Sequence, residues 1–231
     1  MRILELFSGT ASFSRVCRFY GEAAFTVDID PAFCPDMVAD ITKLRVADLP
    51  EAFQHPDIIW ASPPCEQYSR AKSRGIRKLE EADRNLQKTI ELIKQLNPKY
   101  WFIENPQTGL LKKRQVMSCL GSLFSFPYKD VSYCKYGLPY RKQTRIWTNF
   151  HAWKPKAICK KDCDFLVGGI KGKRHIGSAG TGGKGQGHKI KYSNKSYKKE
   201  EKYSVPSDLC REILEAIIRG NQENRIIFTT K

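Results

Sequence analysis

The sequence of 231 residues contains no apolar run near the roughly 18 residues that a membrane-spanning helix requires. It opens at Met1-Arg2-Ile3-Leu4 directly in a strand pattern with no leader before it, so the expectation is a soluble, intracellular monomer. A disulfide framework is also missing. Eight cysteines at irregular spacing, without an export signal, point to reduced thiols that serve catalysis or metal binding. Acidic residues are scarce, 24 Asp and Glu against 40 Lys and Arg, and the formal charge of +16 calls for a polyanionic partner, with nucleic acid first. The excess is local. Residues 151–203 carry fourteen Lys and Arg against four Asp and Glu, together with nine of the sixteen glycines. This composition sets a basic, loop-rich segment apart from residues 1–150 before it and 204–231 after it.

What is present is an alternation of strands and helices. Residues 2–6 read as a strand, Phe7-Ser8-Gly9-Thr10 as a tight turn and residues 13–20 as an amphipathic helix, the first unit of a nucleotide-type α/β fold. Gly9 lets backbone approach a ligand there. A second strand, residues 23–27, ends at Asp28-Ile29-Asp30-Pro31. An acid about twenty residues after the glycine turn is where such folds hold a ribose hydroxyl. Asp28 suits that role, whereas Asp30 before Pro31 suits a turn or cap. Residues 37–39 form a third short strand that ends at Asp40-Ile41.

Residues 58–61 read as a buried strand stopped by Pro63 and Pro64, which cannot continue a central ladder. Cys65 therefore lies in a loop just past the strand's carboxyl end, the edge where open α/β sheets bind ligands. Alone, such a cysteine is more often a packed, inert thiol. Residues 67–78 follow with Arg70, Lys72, Arg74, Arg77 and Lys78 around Gly75, either a phosphate clamp or a solvated charge run. A long helix is expected over 80–96 with Leu86, Ile90, Ile93 and Leu96 on one face. The strand at 100–103 runs straight into Glu104, which puts a partly desolvated carboxyl at the same sheet edge as Cys65. Further on, a short helix is expected at 112–120, strands at 131–133 and 142–148, and a helix at 206–219. Residues 225–229 read as an edge strand or a tail.

At this point the set resembles the cytosine-5 DNA methyltransferase family, in the family's own motif order. Leu4-Glu5-Leu6-Phe7-Ser8-Gly9-Thr10 is similar to its first motif, Asp28 to its ribose-binding acid and Asp40-Ile41 to its adenine-side motif. Pro64-Cys65 with Ser69 resembles the catalytic loop, and Glu104-Asn105 the second catalytic motif. Tyr136-Gly137-Leu138-Pro139 through Arg145-Ile146 resembles the late arginine motif. The resemblance implies a Rossmann-like α/β sheet that binds S-adenosylmethionine, with a small basic second lobe. It implies Phe7, Ser8, Gly9, Thr10, Asp28, Ile29, Asp40, Ile41, Pro63 and Leu86 as cofactor contacts, and Cys65, Glu104 and Arg145 as catalytic residues. DNA is then the substrate, methylated at carbon 5 of a flipped cytosine. The same residues leave room for an RNA cytosine methyltransferase, or for a catalytically silent nucleic-acid-binding protein that keeps the fold.

The chain departs from the family at several points. Glu66 stands where glutamine is usual and places a negative charge beside the nucleophile. Pro106 follows Asn105, and of the late motif only Arg145 aligns firmly, which leaves Gln143 without a clear role. About fifty residues replace a larger target-recognition domain, so recognition is expected to be short or relaxed, through phosphates and through Tyr192, Tyr197 and Tyr203. The stretch 177–187 is expected to be mobile when free. Cys159 and Cys163 could form half of a zinc site completed by Cys134 and His175, although the spacing is not a standard two-pair pattern.

Overall fold

The computed structural model describes residues 1–69, 72, 75–118, 128–168, 172–177 and 203–229. Its centre is a seven-stranded sheet of β1 (Arg2–Leu6), β2 (Ala23–Asp28), β3 (Met37–Val38), β4 (Ile58–Ala61), β5 (Tyr100–Pro106), β6 (Tyr128–Ser132) and β7 (Gln143–Thr148), in the order β3-β2-β1-β4-β5-β7-β6. Strands β1 to β5 pair in parallel. Strand β7 runs antiparallel to both β5 and β6. The chain leaves β1 for β2 on one side and later returns to β4 on the other, which opens a crevice at the carboxyl ends of β1 and β4. This is the Rossmann-like α/β sheet expected above.

Strand β4 shows why the sheet is buried on both faces. Its four residues are all fully buried, yet successive side chains point to opposite faces of a strand. Ile58 and Trp60 join one core with Phe13 and Cys17 of α1 (Ser12–Phe19) and Leu209, Ile213 and Ile217 of the last helix. Ile59 and Ala61 join the other, with Leu86, Ile90 and Leu92 of α2 (Leu79–Leu96). The Trp60 ring stacks on Phe13 at 4.7 Å and on Phe102 at 5.6 Å between centroids. These aromatic contacts fix the strand that presents Cys65.

Several expected elements have different bounds. The stretch around 112–120 is a 3-10 turn at Leu111–Lys113 followed by a single helical turn, α3 (Gln115–Ser118); Leu120 lies outside the described residues. Tyr133 does not finish a strand but opens the 3-10 turn Tyr133–Tyr136, which Gly137 closes at φ 88°. The final helix, α4 (Ser207–Thr229), carries Gly220 inside it and continues through 225–229, so neither an edge strand nor a tail forms there. No proline follows Gly220, and one glycine costs a helix only about 1 kcal/mol. In the basic segment, β8 (Leu166–Val167) and β9 (Arg174–His175) pair as a separate antiparallel ribbon. Residues 178–187, Tyr192 and Tyr197 lie outside the described residues, as do Arg70 and Arg74. Among the described residues no helix is long and apolar enough to cross a membrane.

Candidate active site

The turn after β1 is bent. Phe7, Gly9 and Ala11 all have positive φ, 54°, 46° and 52°, a conformation that non-glycine residues adopt only at a cost of order 1 kcal/mol or more. The bend turns the Gly9 amide towards β2, where it donates to Asp28 Oδ2 at 2.7 Å. Asp28 Oδ1 accepts from the Asp30 amide at 2.9 Å. A carboxylate has about four acceptor sites, so Asp28 braces the two strand tips and keeps lone pairs for a ligand. The Ser8 hydroxyl is buried without a protein hydrogen-bond partner. Glu5, central in β1, accepts from the Ser14 amide at 2.7 Å at the start of α1, and burial pushes its carboxyl up to about 7.

These groups open on a cavity of about 300 Å³ that also contains the chemistry of β4 and β5. Of the expected cofactor contacts, Phe7, Ser8, Gly9, Thr10, Asp28, Ile29 and Pro63 line it, and so do Cys65 and Glu104. Asp40, Ile41 and Leu86 do not. The Asp40 carboxylate caps its own 3-10 turn by accepting from the Thr42 amide at 2.9 Å and hydroxyl at 2.7 Å. Ile41 and Leu86 are buried in the core on the α2 face. A larger groove of about 670 Å³ between α1 and the start of α4 lacks Cys65, Glu104 and Asp28 from its lining.

Cys65 is held by its own loop, whose Tyr68 and Ser69 amides donate to the Cys65 carbonyl at 3.0 and 2.8 Å. Burial pushes its thiol up to about 11; Lys142 pulls the other way, while Glu104 and Glu66 add to the rise. The thiol is thus protonated at neutral pH. Glu66 accepts from the Tyr203 hydroxyl at 2.9 Å, which brings the start of the C-terminal segment over the cavity. Glu104 is 6% exposed and accepts from the Tyr133 hydroxyl at 3.0 Å, with Lys142 Nζ at 3.8 Å. Asn105 Nδ2 donates to the Pro63 carbonyl at 3.0 Å, locking the tip of β5 to the Cys65 loop.

Two cationic expectations change. Arg145 does not line the cavity. Strand register sets it opposite Asp130 of β6, which its Nε and Nη2 grip at 2.7 and 2.8 Å, and its guanidinium lies 3.4 Å from the Tyr128 ring centroid. Among the described residues Lys142 is the cation at the cavity, and it drew no role from the sequence because its motif departs from the family pattern. In the basic loop, Arg77 donates to the carbonyls of Gln67, Ser69 and Lys72 at 2.6 to 2.9 Å, so it braces the loop. Lys72 likewise donates to Gln67 Oε1 at 2.6 Å.

A second cluster lies apart from the cavity lining. Cys134, Cys159, Cys163 and His175 bring their ligand atoms within 4.8 Å of one another, the same four residues the sequence singled out. Cys134 comes from the turn after β6, Cys159 and Cys163 from the basic segment, and His175 from β9.

An open α/β sheet with a strained glycine turn, an acid on the next strand tip and a cysteine beside a carboxylate at the switch point has the layout in which a nucleotide-type ligand and a thiol share one crevice. Residues 1–129 match the family model described as C-5 cytosine-specific DNA methylase. A curated relative from Frog virus 3 (isolate Goorha), described as a probable DNA (cytosine-5)-methyltransferase, is 32% identical over 235 residues, spanning 93% of this chain and 99% of that protein. This chain belongs to the C-5 cytosine-specific DNA methylase family. Among solved structures, an E. coli prophage protein described as a putative DNA modification methyltransferase aligns over 69% of this chain and 52% of its own, with TM-score 0.52 and 18% identity. The S. pombe Dnmt2 methyltransferase aligns over 64% and 49%, with TM-score 0.45 and 18% identity. The chain therefore spans about half the length of these solved structures, and the E. coli prophage protein shares its fold.

Proposed function

We propose that this protein transfers a methyl group from S-adenosylmethionine to carbon 5 of a cytosine in DNA, through a covalent adduct on Cys65. One observation carries the reading: Cys65 and Glu104 line the same cavity as the Gly9 turn and Asp28. That cavity suits the cofactor. Gly9 presents no Cβ, the buried Ser8 hydroxyl has no protein partner, and Asp28 keeps acceptor capacity for a ribose. When bound, S-adenosylmethionine supplies an electrophilic methyl.

The chain's own residues supply the rest. Carbon 5 of cytosine is a poor nucleophile, so Cys65 gives up its thiol proton to solvent, and the thiolate adds to carbon 6 and pushes electron density to carbon 5. Glu104, held by Tyr133, hydrogen-bonds or protonates ring nitrogen 3 and so offsets the charge that this addition creates. Lys142 is the cation that favours the thiolate against burial. After methyl transfer a water molecule takes the carbon-5 proton, the electron pair of that C–H bond re-forms the ring double bond, and the carbon–sulfur bond breaks to release Cys65 as its thiolate. In a duplex the cytosine must first swing out of the stack, and residues 151–203 are read as the segment that faces the DNA.

Incubation with labelled donor and duplex DNA should place label on cytosine carbon 5, and a fluorinated cytosine should trap Cys65 as a stable adduct. Label in structured RNA alone would move the substrate to RNA. No label in either polymer and no adduct would leave a nucleic-acid-binding protein without activity. The cofactor reading has a second part, because Cys134, Cys159, Cys163 and His175 have the donor types of a zinc site.

A further inference from the structure

We infer that Cys134, Cys159, Cys163 and His175 hold one structural zinc ion, which pins the basic segment to the edge of the catalytic sheet. Zinc binds sulfur at about 2.3 Å and imidazole nitrogen at about 2.0–2.1 Å in a tetrahedron, which places ligand atoms roughly 3.5–3.8 Å apart. Cys159 Sγ and His175 Nε2 stand 3.5 Å apart, and all four ligand atoms lie within 4.8 Å of one another. Three thiolates and one imidazole form a closed ligand set of the structural type, with no position left for a substrate.

The surroundings fit ligands held in place. The Cys159 amide donates to the buried Ser132 hydroxyl at 3.1 Å, which ties the segment to the end of β6. Between the two segment cysteines, Lys161 turns the chain at φ 66° and the Lys160 amide donates to Asp162 at 2.9 Å. Lys135, next to Cys134, pairs with Asp162 at 3.0 Å. Zinc with three thiolates carries a net charge of about −1, which suits a site flanked by Lys135, Lys160 and Lys161.

The segment also needs such a pin. Among described residues 154–177, Cys159 is the one buried apolar side chain, so no local core holds this stretch. A bound metal supplies folding free energy where apolar burial does not. The pin also reaches the cavity, because Cys134 follows Tyr133, whose hydroxyl holds Glu104.

Metal analysis of the full-length chain, purified with zinc and then desalted, should find about one zinc per chain, whether or not the protein transfers a methyl group. Cys134→Ser and Cys163→Ser should each lose most of it, and Cys65→Ser should keep it. After chelation, Co²⁺ added to the wild-type chain should produce thiolate-to-metal charge-transfer and tetrahedral d–d absorption, a readout that stands even where a variant fails to fold. Less than about half an equivalent of zinc in the wild-type chain would overturn the inference. So would unchanged zinc in both cysteine variants, or Co²⁺ spectra without thiolate bands. A denatured, unreduced and chelated chain should titrate eight thiols; two fewer would mean a disulfide in the cluster instead of a metal.

Discussion

The parallel strands and the antiparallel strand of one sheet deliver their functional residues by opposite rules. Asp28 ends β2, Cys65 lies past β4 and Glu104 stands just beyond the stretch of β5 that pairs with β4; parallel strands run to the same side, so all three reach one crevice. Strand β7 runs the other way. Its register, Pro106 opposite Thr144 and Phe102 opposite Thr148, sets its beginning beside the end of β5. The residue that reaches the crevice is therefore the one before the strand, Lys142. Arg145, inside the strand, spends its guanidinium on Asp130 and Tyr128.

The largest expected effect tests the parallel side. Cys65→Ser should lower methyl transfer by at least about 10³-fold, while calorimetry shows cofactor binding retained. A variant with near-wild-type turnover would remove Cys65 from the mechanism. On the antiparallel side, Arg145→Met should act on stability. Its ion pair with Asp130 is mostly buried, 11% and 16% exposed, and breaking such a pair costs about 3 kcal/mol. Denaturant unfolding should show that loss, and Asp130→Asn in the same chain should recover much of it. If Arg145→Met stays as stable as the wild type yet loses activity, the contrast between the two strands fails.

Lys142→Met should show the reverse pattern. Removal of one positioned cation from a buried site typically costs about 10²-fold in turnover, and little stability should go with it. The Cys65 thiol should also become harder to ionise, because Lys142 is the group that opposes burial there. The check is the pH dependence of Cys65 alkylation, followed on its own peptide by mass spectrometry: the inflection should move to higher pH than in the wild type. An unmoved inflection would separate Lys142 from the nucleophile.

The same contrast explains what could be read from sequence. Short apolar runs that stop at Asp28, Pro63 or Glu104 carry both the strand and its end, so the parallel part of the fold and its crevice were legible. Capping was harder to foresee. Asp40 also ends a strand, yet its carboxylate caps the turn at Thr42 and lies outside the cavity lining, and nothing in a single sequence separates an acid that caps a turn from one that lines a crevice. Lys142 stayed hidden because strand direction is a property of the whole sheet. Leu86 belongs to the apolar face of α2, and that face meets the core before it could meet a cofactor. The cysteine–histidine cluster was legible as a set of donor types, whereas its closeness depends on the turn after β6 and on β9 meeting across forty residues of chain.

Glu66→Gln should have the smallest effect, and it tests whether the chain's main departure from its family weakens the nucleophile. Glu66 raises the Cys65 thiol by charge, after burial and Glu104. Its carboxylate also accepts the Tyr203 hydroxyl at 2.9 Å, and a glutamine carbonyl can accept the same bond. The substitution thus removes the charge and keeps the anchor over the cavity. Alkylation of Cys65 near pH 8 should become severalfold faster, because a thiol whose ionisation inflects nearer the working pH has more thiolate. Glu66→Ala removes charge and anchor together, so it should match the glutamine variant in alkylation but differ in turnover if Tyr203 helps to close the site. Equal or slower alkylation in Glu66→Gln would show that the Glu66 charge does not set the thiol, and that the acid beside Cys65 serves Tyr203.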